Sequence, residues 1–179
     1  MPLPDPLPPR FVATLHARVS ALFAHGILRG GRQLVEKPSD GGPPLVLRIE
    51  GDVGAGTLRL VAFPEVEDAV GTLIGKVRAA VQVGGQPEGS FDAATGRVEI
   101  DVPIHLDTRH LLARDSDAVL TLSTHVAVDQ PELSAEGDPF HGGDPVVRLV
   151  GTGTFEGGSL AGGTLWLVLD AEVQDVEAV

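Results

Sequence analysis

The longest uninterrupted alternation in the chain covers residues 97–106. Val98, Ile100, Val102, Ile104 and Leu106 alternate with Arg97, Glu99, Asp101, Pro103 and His105. A period of two without a break predicts a strand with one dry face and one wet face. Pro103 lacks an N–H and suits an edge, a bulge or the outward side of a ladder. A second alternation covers 118–128, with Leu120, Leu122, Val126 and Val128 on one side and Val119, Thr121, Ser123 and His125 on the other. The expected register of these two strands sets His125 against Glu99. Ahead of the first run stands Asp92-Ala93-Ala94-Thr95-Gly96, a turn in which Asp caps its own backbone and Gly supplies positive φ. Pairing Phe91 with Val98 then sets Asp92 opposite Arg97, and a slip of one residue would expose every Val and Ile of the strand.

The same reading extends along the chain. Residues 1–10 hold five prolines and predict an extended tail. Residues 11–23 fit two patterns. Phe11, Leu15, Val19 and Leu22 form a helical stripe with Gly26 as a stop, while every odd position from Phe11 to Phe23 is apolar. The strand reading is preferred because the rest of the chain is strand-like. Residues 45–53 and 57–63 predict a hairpin around Gly54, Ala55 and Gly56, and 72–83 predict one strand. Residues 29–44 and the acidic stretch 129–145 read as loops. Residues 145–155 and 164–173 predict a last hairpin. Matching Phe155 to Leu165 sets Gly153 against Leu167, Gly151 against Leu169 and Arg148 against Glu172. Glycines facing large residues permit the coiling that barrel closure requires. The expected fold is all-β, a single antiparallel β-barrel of about eight to ten strands over residues 11–179, lipocalin-like or allene-oxide-cyclase-like in outline. A β-sandwich is the alternative.

Composition narrows the function. A chain of 179 residues fits one domain and buries enough surface to fold without a staple. The absence of Cys excludes disulfides, thiolate zinc sites and cysteine nucleophiles. A formal charge of −12 argues against nucleic acid and anionic membrane surfaces as partners. No apolar run approaches the ~18 residues of a membrane span. Residues 1–10 do not read as a signal peptide, so a cytoplasmic location is expected. Eleven Arg against two Lys, with no Asn or Tyr, reads as a GC-rich, bacterial coding bias; it also leaves no Asn or Tyr as a proton or oxyanion donor.

Standard catalytic motifs fail. Gly157-Gly158-Ser159-Leu160-Ala161 ends on Ala where a nucleophile elbow needs Gly, and it falls in a hairpin turn. Gly151, Gly153 and Glu156 miss the dinucleotide fingerprint. The richest polar cluster is His105, Asp107, Arg109, His110, Arg114, Asp115 and Asp117, at a strand end and its following loop. Strand ends and loops are where barrel mouths bind ligands. His105, Asp107, Arg109 and His110 are therefore candidate ligand-binding residues. Phe140 and His141, in the acidic loop, are placed to fold over such a mouth. The plainer reading is a solvated loop with local Arg–Asp pairs, and no metal or cofactor is assigned. Val146, Val150, Trp166 and Val168 fall on the wet face of the last hairpin and predict an apolar stripe suited to self-association. Cover by residues 11–23 within one chain is the alternative.

Phe11-Val-Ala-Thr-Leu15-His-Ala17-Arg-Val19, then Leu45-Val-Leu-Arg-Ile49, Ala69-Val-Gly71-Thr-Leu-Ile-Gly75-Lys-Val77 and Glu88-Gly-Ser-Phe91, form an ordered pattern. It resembles the β-rich accessory region found beside bacterial cholesterol-oxidase-like oxidoreductases. The resemblance covers residues 11–92 and implies a lipid-related barrel; no flavin-binding sequence accompanies it. The function expected is a non-catalytic barrel binding a small apolar or lipid-like molecule. The alternatives are a barrel cyclase or isomerase acting on an apolar substrate, which needs an inward acid or base, and a structural protein that assembles as a homo-oligomer.

Overall fold

The computed structural model describes residues 6–25, 44–72, 75–108, 114–124 and 146–179. Ten strands follow in chain order: β1 Arg10–His25, β2 Leu45–Asp52, β3 Thr57–Ala62, β4 Val66–Thr72, β5 Gly75–Val83, β6 Glu88–Asp92, β7 Arg97–Thr108, β8 Ser116–Ser123, β9 Val146–Glu156 and β10 Thr164–Ala178. All pairings among them are antiparallel. The order β7-β6-β3-β2-β1-β10-β9-β8 returns to β7, so eight strands close a barrel, and β5 runs beside the upper part of β7 with β4 on its other edge. Closure pairs the backbone groups that an open sheet leaves at its edges.

Alternation builds the interior as expected. Val98, Ile100, Val102, Ile104 and Leu106 of β7 are all buried, and they pair across to Leu120, Leu122 and Ala118 of β8. The 92–97 turn also has the expected form. Asp92 accepts hydrogen bonds from the Ala94 N–H at 2.9 Å and the Thr95 hydroxyl at 2.7 Å, and Gly96 has φ of 72°. Phe91 lies opposite Val98 and Asp92 opposite Arg97. At the other hairpin Asp52 accepts the Ala55 N–H at 2.8 Å.

The ambiguous first element is a strand, lying between β2 and β10 with Phe11, Ala13, Leu15 and Ala17 buried. The helical stripe loses because Phe11, Ala13, Leu15 and Ala17 each find a neighbour strand on both sides, and the rest of the element pairs with β10. The Phe11 ring is fully buried and meets Phe91 edge-on at 5.8 Å. It fits because Gly51 is its cross-strand partner; a Cβ there would stand 2.3 Å from the ring.

Three expectations are corrected, and one contact is added. Residues 72–83 are not one strand. Thr72 is the last residue of β4 and pairs with Gly75, the first of β5, so the stretch spans parts of two antiparallel strands. In the last hairpin Leu165 faces Gly153, Leu167 faces Gly151 and Asp170 faces Arg148, two residues from the expected register. The shift arises because Phe155 exchanges hydrogen bonds with Gly162 and Gly163 instead of meeting Leu165. The β7–β8 register is also displaced by two, so Glu99 faces Ser123 and not His125. The described end of the expected tail is tied in: the Pro9 carbonyl accepts the Val53 N–H at 2.9 Å, and Leu7 packs on the core. Residues 1–5 and 26–43 (which hold nearly all of the expected loop 29–44), Arg109, His110, His125 and the acidic segment with Phe140 and His141 lie outside the described residues.

Candidate functional site

Period two sends His105 and Asp107 outward from β7, and the antiparallel register brings Asp117 of β8 directly opposite His105. His105 Nδ1 lies 2.7 Å from Asp117 Oδ1, and its Nε2 lies 3.8 Å from Asp115 Oδ2. The hydrogen bond to Asp117 raises the His105 pKa above its ordinary value; desolvation opposes it, and the lesser effects of the Asp117, Asp115 and Asp107 charges reinforce it. Two steps along the same outward face, the Thr121 hydroxyl donates to Asp101 at 2.6 Å.

Asp115 belongs to the lead-in of β8, and that lead-in is clasped from its other side. The 3₁₀ turn Gly158–Leu160 docks on it. The Arg114 N–H donates to Ser159 Oγ at 2.7 Å, the Ser159 N–H to the Arg114 carbonyl at 3.1 Å and the Leu160 N–H to Ser116 Oγ at 3.2 Å. Ser116 is fully buried and Leu160 packs on the core, so the turn stops this end of the barrel. Gly158 permits the approach. It has φ of 65°, and a Cβ would stand 1.9 Å from the Asp115 carbonyl oxygen.

Of the expected ligand-binding set, His105 and Asp107 are therefore outward, beside carboxylates, and not in an interior mouth. Among the described residues no group of three His, Cys, Asp or Glu is arranged to hold a metal. The cluster can carry charge and move a proton. Its two partners, Asp115 and Asp117, were foreseeable only as members of a loop; the cross-strand pairing that selects them required the register.

The interior is lined by one cluster of buried apolar side chains. Val102, Ile104, Leu120 and Leu167 are between 1% and 7% exposed, which leaves no space of ligand size beside them. A cavity of about 30 Å³ lies further along the same interior, bounded by Leu15, Leu47, Ile49, Val98, Ile100, Leu122 and other apolar side chains. Small-molecule sites ordinarily span about 300–1,000 Å³. Nothing in the sequence marks this recess, because its lining residues follow the same alternation as the rest of the core.

The expected interface stripe is also corrected. Val150 and Val168 are each 1% exposed, although they stand outside the interior cluster. They are cross-strand partners, with Ser123 beside Val150 and itself buried. Outward parity thus gave the correct side of the sheet but not its accessibility within the chain. Residues 11–23 do not lie over this stripe; β1 joins the sheet alongside β10. Trp166, opposite Thr152, is half-buried, and Val146 is placed by its backbone at the start of β9.

Fold and site together define a closed antiparallel β-barrel with an apolar interior. The outward positions of β7 include Arg97, Glu99, Asp101, His105 and Asp107. No helix among the described residues is long and apolar enough to cross a membrane. No family model, curated protein or solved structure matches the chain.

Proposed function

We propose that the chain is a non-catalytic structural or binding module that works through its outer surface. The observation that carries this reading is the packed interior: the side chains that would line a carrier's cavity are buried against one another. The buried polar side chains among the described residues are Ser116, Ser123 and Thr124, and none is an acid, a base or a cation. Enzymatic cyclisation or isomerisation needs such a group facing inward, whereas His105 faces outward onto two aspartates. Native mass spectrometry of the full chain, purified without detergent, tests the reading. The bare chain mass, alone or as a simple multiple, is expected; a stoichiometric apolar adduct released by organic solvent overturns it.

The recess supports a second reading, retention of a small apolar or lipid-like molecule. Its lining is entirely apolar, so it favours a methyl or short alkyl terminus. A binder of this kind would hold most of its ligand outside the barrel. Leu47→Trp, which fills the recess, would abolish alkyl-chain binding on this reading and leave a surface-acting module unaffected.

A further inference from the structure

We infer that His105 is a proton-operated clasp which, when charged, ties the lead-in of β8 to β7 and thereby steadies the turn that stops this end of the barrel. The geometry assigns the role. Each ring nitrogen faces a different carboxylate, Nδ1 toward Asp117 at 2.7 Å and Nε2 toward Asp115 at 3.8 Å. A neutral imidazole carries one N–H. If that proton sits on Nδ1 and serves Asp117, the Nε2 lone pair points at the Asp115 carboxylate, and the contact repels. Only the imidazolium serves both aspartates.

The surroundings hold further charges. Asp107 lies on the same strand, Glu156 of β9 is the cross-strand partner of Asp117, and on the β5 side Gln82 stands opposite His105 and donates to Glu65 at 3.1 Å. Arg114 brings a cation to the lead-in itself. Carboxylates thus surround the imidazole along its own strand and across β8 and β9. Loss of the ring proton adds one uncompensated negative charge to this group.

The mechanical link runs through three residues. Asp115 lies between Arg114 and Ser116, whose backbone and side-chain atoms hold Ser159 and Leu160. Tension or slack at Asp115 therefore reaches the Gly158–Leu160 turn without passing through the core. The device is a local one, since His105 is 44% exposed and its pairs are screened by solvent.

Hydrogen exchange of the full chain, corrected for the intrinsic rate at each pH, tests the clasp. The amides to follow are Arg114, Ser159 and Leu160, with Val102 and Leu120 as core references. Protection at the three clasp amides is expected to fall by roughly two- to fivefold between pH 5.5 and pH 8.5 while the references hold, in line with the strength of exposed ion pairs. His105→Gln is expected to show the lower protection at both pH values. Asp115→Asn keeps the Asp117 contact and is expected to remove most of the pH dependence. Equal protection of the wild-type amides at the two pH values overturns the inference, as does a fall that persists unchanged in His105→Gln.

Discussion

Gly51→Ala is the most informative single change in this barrel, because the expected sign is opposite to the ordinary one. At an unstrained position a Gly→Ala change stabilises by about 0.4–1 kcal/mol, by narrowing the unfolded ensemble. Here the added methyl would stand 2.3, 2.5 and 3.0 Å from three carbons of the Phe11 ring. That ring is fully buried and held edge-on by Phe91, so it has nowhere to retreat. Overpacking of this kind costs about 1–3 kcal/mol. At this chain length that corresponds to a fall in Tm of about 2–12 °C. Chemical denaturation of Gly51→Ala, Phe11→Leu and the double variant measures the clash directly. Phe11→Leu removes the offending atoms, so the Gly51→Ala penalty is expected to shrink by at least about 1 kcal/mol in that background. Additivity within about 0.5 kcal/mol, or a stabilised Gly51→Ala, would refute the packing described for this end of the barrel.

Other outcomes follow from the same structure. Val150→Asp is expected to destabilise severely, by several kcal/mol, since Val150 is 1% exposed; a near-neutral result in thermal unfolding would restore the exposed stripe. Leu120→Ala is expected to cost about 2–5 kcal/mol by denaturant titration, the range for a cavity opened in a filled core. The two-point contact of Arg148 with Asp170, at 2.6 and 2.9 Å, lies at a partly exposed site. A double-mutant cycle is expected to give no more than about 1 kcal/mol, diminishing in high salt. Stability should also depend on pH in two limbs. Asp52, through the Ala55 N–H and Arg10, and Asp92, through the Thr95 hydroxyl and the Ala94 N–H, have pKa values below the ordinary 3.8; their contribution is present above 3.8 and lost as pH falls through the lowered values. His105 has a raised pKa, so its contribution is complete below 6.5 and lost as pH rises through the raised value. A Tm profile of His105→Gln should lack the upper limb and keep the lower one.

The strands were legible wherever one face is dry. Residues 97–106 announce β7, and Asp92 with Gly96 announces its turn, because a buried face and a positive-φ position leave few residue choices. Register was legible only where the turn chemistry is explicit. The hairpin at 92–97 came out correctly, whereas β9 and β10 were set two residues apart because the seven residues between them include a 3₁₀ turn that no pattern marked. Parity survives an error of two, so inside and outside were still assigned correctly for Gly151, Gly153, Leu165 and Leu167. Burial on the outer face was not legible. Val150 and Val168 have the parity of exposed residues, and only the folded chain reveals that they are covered. The polar cluster was visible as composition, but the selection of Asp117 and Asp115 as the partners of His105 depends on the β7–β8 ladder and its lead-in.

The central claim is that the barrel is filled. Methyl-resolved NMR of the full chain during titration with decanoate, a straight-chain amphiphile with an apolar tail, tests it most directly, with Val102, Ile104, Leu120 and Leu167 as reporters. These four signals are expected not to shift in a saturable way, with any small movement confined to residues of the recess such as Leu47 and Leu149. Saturable, stoichiometric shifts at Val102, Ile104, Leu120 and Leu167 would mean that the interior opens to a ligand, and would contradict it.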